Sequence, residues 1–551
     1  MIFHIGFKVK QESKPQISLK TKKVLIVDDF FNFRLTVKNM MRSLGILFID
    51  DAASGEDAVK LMAVRRFDII LCDYNLGPGK NGQQVLEEGK FRGYINSSTI
   101  FIMLTAENTT EMIMGAIEYK PDDYLMKPFA REVLVNRIKN IAAKKLNLRD
   151  IETAITENDF NRAIHLCDEL LTQKPGNISE IMRLKGEVLL KKGAYKEAAE
   201  FYDKILLMGN VPWAQLGRGR TDFLLGNYER AKNIFEHIIA QNNKIMTAYD
   251  YLAQTLIKMH NPLEAQQVLM NAVKISPRAL LRHKNLGSLA YRNEDFTTAE
   301  TSFKSAVDQG KHSCFKNPSD YTNLAKTLVH CDAPQEGLKV LGNALHEFPD
   351  NSDTRLHLSV AESYVYTKMN KTDEARRSLA TAQKTAAELD GDIPGNLALD
   401  LAEAYLAAGE TEKGTALIKS IVESNHDNDE VLDNIRAVFK EMGMAEKGEA
   451  LIETTRDEII ELNNKGVKLA QDGNIAEAIT YFEKAADHLP ENKIINANAA
   501  HVLMLYMKER GIHEDRLAQA KTYLDRVRKI DESYADFAAL LTMYRELSAE
   551  E

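Results

Sequence analysis

The sequence predicts two architectures in succession: a doubly wound, five-stranded parallel α/β sheet over residues 22–145, then an all-α solenoid over 146–551. Three observations lead there. Short apolar runs in the first part lack the alternation of a half-wet strand and end in acids or other polar residues, as strands buried on both faces do. Amphipathic stretches separate these runs, giving five β–α units in about 120 residues. Further on, a small residue returns among amphipathic helices at Ala163, Ala198, Ala231, Ala265 and Ala299, in steps of 35, 33, 34 and 34.

The elements of the first part follow in order. Lys23–Val27 is an apolar strand ending at Asp28 and Asp29, and a helix over 31–44 closes at Gly45. A weak second strand lies at 47–49. Ser54 and Asp57 start a helix through Val64. The strand 69–72 runs into Asp73 and a flexible loop, Gly77 to Gly82. Residues 83–91 read as helix, 99–104 as strand, 108–119 as helix, 123–126 as a fifth strand, and 129 onward as a long helix. The linker at 146–149 is either part of that helix, which would make a stiff connector, or a simple break. The first 21 residues read as a flexible tail.

Composition narrows the function. A chain of 551 residues exceeds one core and suggests about three to four domains. Charged residues are 27% and hydrophobic residues 44%, an ordinary globular balance, and the net charge of −9 does not favour direct nucleic-acid binding. Cys72, Cys167, Cys314 and Cys331 are far apart, which argues against disulfides or a zinc site and for a reducing compartment. No apolar run approaches the roughly 18 residues of a membrane span, and the first residues lack the basic lead of a secretory signal. A cytoplasmic protein is expected.

Asp73, read alone, serves equally well as an acid at the mouth of a site or as the cap of the next turn. The other strand ends decide. In an open parallel sheet they all face one crevice, which brings Asp28, Asp29, Asp73, Thr105 and Lys127 together. Three carboxylates that close together need a cation, and an all-oxygen set suits Mg²⁺. A hydroxyl and an ammonium beside them suit phosphoryl transfer onto a carboxylate.

Asp28-Asp29, Asp73, Thr105-Ala106 and Lys127-Pro128, in that strand order, resemble the receiver domains of two-component response regulators. The resemblance implies that Asp73 accepts a phosphoryl group from a histidine kinase or phosphotransfer protein. It implies Mg²⁺ held by Asp29, Asp73 and the backbone carbonyl of Asn75, with Asp28 assisting through water. Thr105 and Lys127 would contact the phosphoryl group, and Pro128 would follow a cis peptide. Tyr124 holds the family's aromatic switch position, with a static surface tyrosine packed on the last helix as the alternative, and Asn75 and Glu107 stand where the family tunes phosphoryl lifetime. The Asp73–Gly82 loop is one residue longer than the common pattern, and Asn81 stands where an acid is frequent. A homodimer through the receiver is compatible with this picture.

The small-residue series continues through Gly337, Ala375, Gly414, Gly448, Ala478 and Ala520; its next three steps stretch to 38, 38 and 39, which leaves room for longer inter-repeat loops. The early period is that of a tetratricopeptide array. Small residues belong where the two helices of a hairpin approach most closely: Gly186, Gly219, Ala253, Gly287, Ala325 and Ala402 on first helices. Phe235, Leu269, Phe303 and Phe482 fill the gaps, and Pro175, Pro277, Pro349 and Pro490 end second helices. About ten to eleven hairpins and a terminal cap helix are expected. Such arrays present a concave surface to peptides or proteins; Trp213, Leu216, Arg220, Phe223, Gln254, Lys284 and Tyr291 would line it. The alternative for Trp213 and Phe223 is inter-repeat core.

The expectation is a response regulator whose phosphorylated Asp73 controls protein–protein contacts of the array. A transcription regulator is the alternative, although no helix-turn-helix with a basic recognition helix follows the receiver. An output enzyme is not expected, because no phosphate loop, metal-spaced histidines or nucleophile motif stands outside the first part.

Overall fold

The computed structural model describes residues 19–106, 120–173, 176–389, 393, 395–531, 534 and 536–549. The expected helix over 108–119, Glu107, Pro175 and the tail through residue 18 lie outside the described residues.

Five parallel strands, β1 (Lys23–Val27), β2 (Phe48–Ala52), β3 (Ile69–Asp73), β4 (Ile100–Thr105) and β5 (Asp123–Met126), form one sheet in the order β2-β1-β3-β4-β5. Alternate residues of each central strand feed opposite layers. Leu25, Val27, Ile70, Cys72, Phe101 and Met103 pack on α2 (Gly55–Val64) and α3 (Gly82–Phe91). Val24, Ile26, Ile69, Leu71, Ile102 and Leu104 pack on α1 (Phe31–Arg42) and α4 (Arg131–Thr156). Both faces are dry, which explains the unalternating apolar runs.

Two elements differ from expectation, and a third settles an open choice. The second strand begins later than 47–49 and extends through the acids Asp50 and Asp51, leaving Leu47 exposed. It is an edge strand, and its acids are paired by Arg65 at 3.0 Å and by Lys38 at 2.6 Å. The first helix stops at Arg42, with Gly45 at φ 81° turning the chain into the loop that follows. The linker is not a break: α4 runs 26 residues without interruption and contributes Leu134 and Ile138 to the sheet layer and Ile151 and Ala154 to the first helical hairpin.

From Phe160 onward the described chain is helical hairpins. Glycines mark the tight approaches: a Cβ on Gly186 would lie 2.5 Å from the Tyr202 hydroxyl, on Gly219 2.7 Å from Phe235, and on Gly287 2.7 Å from Phe303. The longer later steps have two sources. One is the loop joining Phe296–Gly310 to Pro318–His330; the other is added helix, since Ser352–Lys368 and Thr372–Glu388 each run 17 residues. The short step of 30 from Gly448 to Ala478 also has a cause. A single 27-residue helix, Ala445–Gln471, closes one hairpin with Gly448 against Phe439 and opens the next with Gly466 against Phe482. At the far end the helix Phe537–Ala549 returns to the start, where Arg545 donates to the carbonyls of Asn158 (2.6 Å) and Glu157 (3.1 Å).

Candidate functional site

The carboxyl ends of the strands lie side by side because the register fixes them. Val27 is level with Cys72, Asp73 with Leu104, and Thr105 with Met126. Asp28, Asp29, Asp73 and Lys127 are the residues at or just past these ends, on one rim of the sheet. Oxygens of Asp28, Asp29 and Asp73 all lie within 4.8 Å of one another. Asp28 is fully buried and Asp73 is 8% exposed, whereas Asp29 faces solvent.

Lys127 holds the buried pair. Its Nζ lies 2.5 Å from Asp28 Oδ2 and 2.9 Å from Asp73 Oδ2, and 4.2 Å from the centre of the Phe33 ring. Asp28 also accepts the Phe30 amide at 2.8 Å, and Arg34 donates to its carbonyl at 2.6 Å. Burial pushes the Asp73 carboxyl above its ordinary range, and the Lys127 ammonium pulls it back. Asp29 has no ion-pair partner among the described residues. A solvent-facing carboxylate without a counter-charge, beside two that share one ammonium, is a donor set that fits a hard divalent cation.

Thr105 ends β4, and its carbonyl accepts the Lys127 amide at 2.8 Å. The Lys127–Pro128 peptide is cis. The Asn75 side chain accepts the Gly77 amide at 3.3 Å. Asn81, in the lengthened loop, caps α3 and forms a reciprocal capping box with Gln84, so the amide that replaces an acid there starts a helix. Tyr124 is turned into the layer containing Tyr74, Val85 and Met103; its buried hydroxyl has no hydrogen-bond partner among the described residues, and burial drives its ionisation up.

A family model described as the response regulator receiver domain matches residues 24–139, and one described as a tetratricopeptide repeat matches 152–212. Over 119 residues the chain is 32% identical to the chemotaxis protein CheY of Pseudomonas aeruginosa, covering 22% of this chain and 94% of that protein. The chain belongs to the response-regulator family. Chemotaxis protein CheY-3 of Vibrio cholerae is likewise 32% identical to this response regulator, over 122 residues that cover 22% of this chain and 92% of that protein. A solved structure of CheY4 of Vibrio cholerae aligns at 27% identity and a TM-score of 0.21, covering 22% of this chain and 98% of that one. The match falls on the response regulator's sheet domain, and the helical hairpins follow it.

In the array of this response regulator, Trp213, Arg220, Phe223, Lys284 and Tyr291, all expected on the concave face, each tie one hairpin to the next, whereas Gln254 is exposed. Trp213 donates to Ser179 Oγ at 3.1 Å, and Arg220 binds Glu187 at 2.7 and 2.9 Å. Phe223 packs edge-on against Tyr251 at 5.8 Å. Lys284 pairs with Asp320 at 2.8 Å, and the Tyr291 hydroxyl meets His330 at 3.0 Å. The inter-repeat alternative for Trp213 and Phe223 therefore describes their contacts, and it extends to the other three.

Sequence reasoning missed Phe33 and Arg34, which brace Lys127 and Asp28. Their signal was only a place in the first turn of an amphipathic helix. It also missed Tyr74, next to Asp73, whose hydroxyl accepts from Arg278 of the array at 3.1 Å. No local pattern announces a contact between residues 204 positions apart.

Proposed function

We propose that this response regulator takes a phosphoryl group onto Asp73 from a phosphohistidine of a kinase or phosphotransfer protein, and that the modification governs protein contacts made by the helical array. The observation that carries the reading is the Lys127 ammonium 2.9 Å from Asp73, with the Asp28 and Asp29 carboxylates within 4.8 Å.

In the proposed step an Asp73 oxygen attacks phosphorus, the P–N bond to the donor imidazole breaks, and an acyl phosphate forms. Lys127 moves from sharing two carboxylates to neutralising the phosphoryl oxygens. The hydroxyl of Thr105, one residue past the level of Asp73, donates to one of those oxygens. Asp28, Asp29, Asp73 and the Asn75 carbonyl would hold Mg²⁺, which supplies positive charge against the transferring group. Tyr124 reports the change by repacking against Thr105.

The test uses the full chain with acetyl phosphate as donor and separates phosphorylated from unmodified protein on a phosphate-affinity gel. A shifted band in wild type that disappears with Asp73→Asn, and with EDTA in place of Mg²⁺, is the expected result. A shifted band that persists in Asp73→Asn would place the modification elsewhere and overturn the reading.

A further inference from the structure

A surface helix of a doubly wound domain has one face on the sheet and the other in water. Helix α3 does not. Val85 and Leu86 meet the sheet, yet the polar Gln83, Glu87 and Glu88 are only 7, 6 and 5% exposed. Carboxylates are buried that deeply only when something covers and pairs them.

The cover is the array. Phe315 meets Phe91 edge-on with ring centres 5.1 Å apart, Ser313 Oγ donates to Glu87 at 3.0 Å, and Gln84 donates to the Gln309 carbonyl at 3.4 Å. Lys80 bridges the two sides, donating to the His312 carbonyl while pairing with Glu88 at 3.1 Å. Arg278 closes the edge on the Tyr74 hydroxyl. The array side is pre-formed: Lys284 holds the Phe315 carbonyl at 2.7 Å and Asp320 at 2.8 Å, and Asn317 with Asp320 caps the next helix.

The receiver side rests on the phosphoacceptor. Tyr74 adjoins Asp73, and its carbonyl accepts the Gly82 amide at 2.9 Å. There is no slack, since a Cβ on Gly82 would lie 2.1 Å from the Asp73 carbonyl oxygen. Backbone displacement at Asp73 therefore passes into the first turn of α3. The array loop, fixed by its own contacts, cannot follow.

We propose that α3 and the array loop 309–316, together with Arg278, form a phosphorylation-sensitive clasp. It is closed in the unmodified chain and opens when Asp73 carries a phosphoryl group, uncovering the outer face of α3 and the loop. The proposal rests on Asp73 as phosphoacceptor.

The test is hydrogen–deuterium exchange on the full chain, before and after acetyl phosphate and Mg²⁺, with the phosphorylated fraction measured in the same sample. Exchange over 83–91 and 309–316 should quicken together by at least about fivefold, the lower end of ordinary allosteric coupling. Asp73→Asn should not respond. Arg278→Ala and the milder Tyr74→Phe, which removes only a hydroxyl, should quicken exchange at both segments without donor. Phosphoprotein with unchanged or slower exchange at these segments sinks the clasp and leaves the acceptor standing. Absence of phosphoprotein sinks the acceptor, and the clasp with it.

Discussion

Lys127 lies between two carboxylates whose burial is tolerable only because of it. Removing one member of a buried ion pair leaves a charge with no compensation, at a cost of about 3 kcal/mol or more. Lys127→Ala should therefore lower the stability of the receiver at neutral pH by about that much, read by chemical denaturation. Asp73 already lies above the usual carboxylate range because burial disfavours its charge. Loss of the ammonium raises it further, so the folded variant binds protons more readily than the unfolded one and regains stability as pH falls. Added Mg²⁺ should restore part of the loss near neutral pH by the same electrostatic route. A variant as stable as wild type under all three conditions would show that Asp28 and Asp73 do not depend on this lysine. Asp28, Asp29, Asp73, Thr105 and Lys127 were legible in the sequence because each follows or ends a short apolar strand, and parallel topology sends strand ends to one rim. The direction of the Tyr124 ring was not legible, because a half-buried β-strand residue packs inward or outward according to neighbours such as Tyr74 and Met103 that only the fold supplies.

At the scale of elements, the hairpin glycines give a sharp contrast. Gly287→Ala places a methyl group 2.7 Å from the Phe303 ring, whereas Gly342→Ala meets nothing within 4 Å. Both gain about 0.5–1 kcal/mol of helix propensity. Only the first must also displace an aromatic ring, at about 1–3 kcal/mol. Gly342→Ala should raise the melting temperature and Gly287→Ala should lower it, with Phe303→Leu in the Gly287→Ala background recovering part of the loss. Equal shifts would mean that the close approach is not a constraint. Gly287 was readable because a steric rule repeats with the hairpin. The continuous α4 and the 27-residue helix Ala445–Gln471 were harder, since amphipathic spacing shows where a helix can run and not whether two helices fuse. The second strand was misplaced because Asp50 and Asp51 look like loop residues until Arg65 and Lys38 are seen to pair them.

Across the whole molecule, four buried or half-buried histidines in the array, His283, His330, His357 and His426, are held below the ordinary 6.5, chiefly by burial. A base depressed in the folded state takes up protons more readily when unfolded. The neutral-form contribution is thus complete above 6.5 and is lost as pH falls through the window below it. The melting temperature of the array should hold steady between about pH 8 and 7 and fall below about pH 6.5; a flat profile would mean these rings accept protons in place. The clasp between α3 and residues 309–316 was invisible to sequence reasoning for a related reason, since the curvature of many stacked hairpins sets which loop meets which helix. The same curvature brings Arg545 back to the carbonyls of Glu157 and Asn158. A row of repeats ordinarily peels from its ends, but here Arg545 of the last helix is tied to the turn that precedes Phe160. Deleting the last helix should loosen the first hairpin, hundreds of residues upstream, as surely as the last.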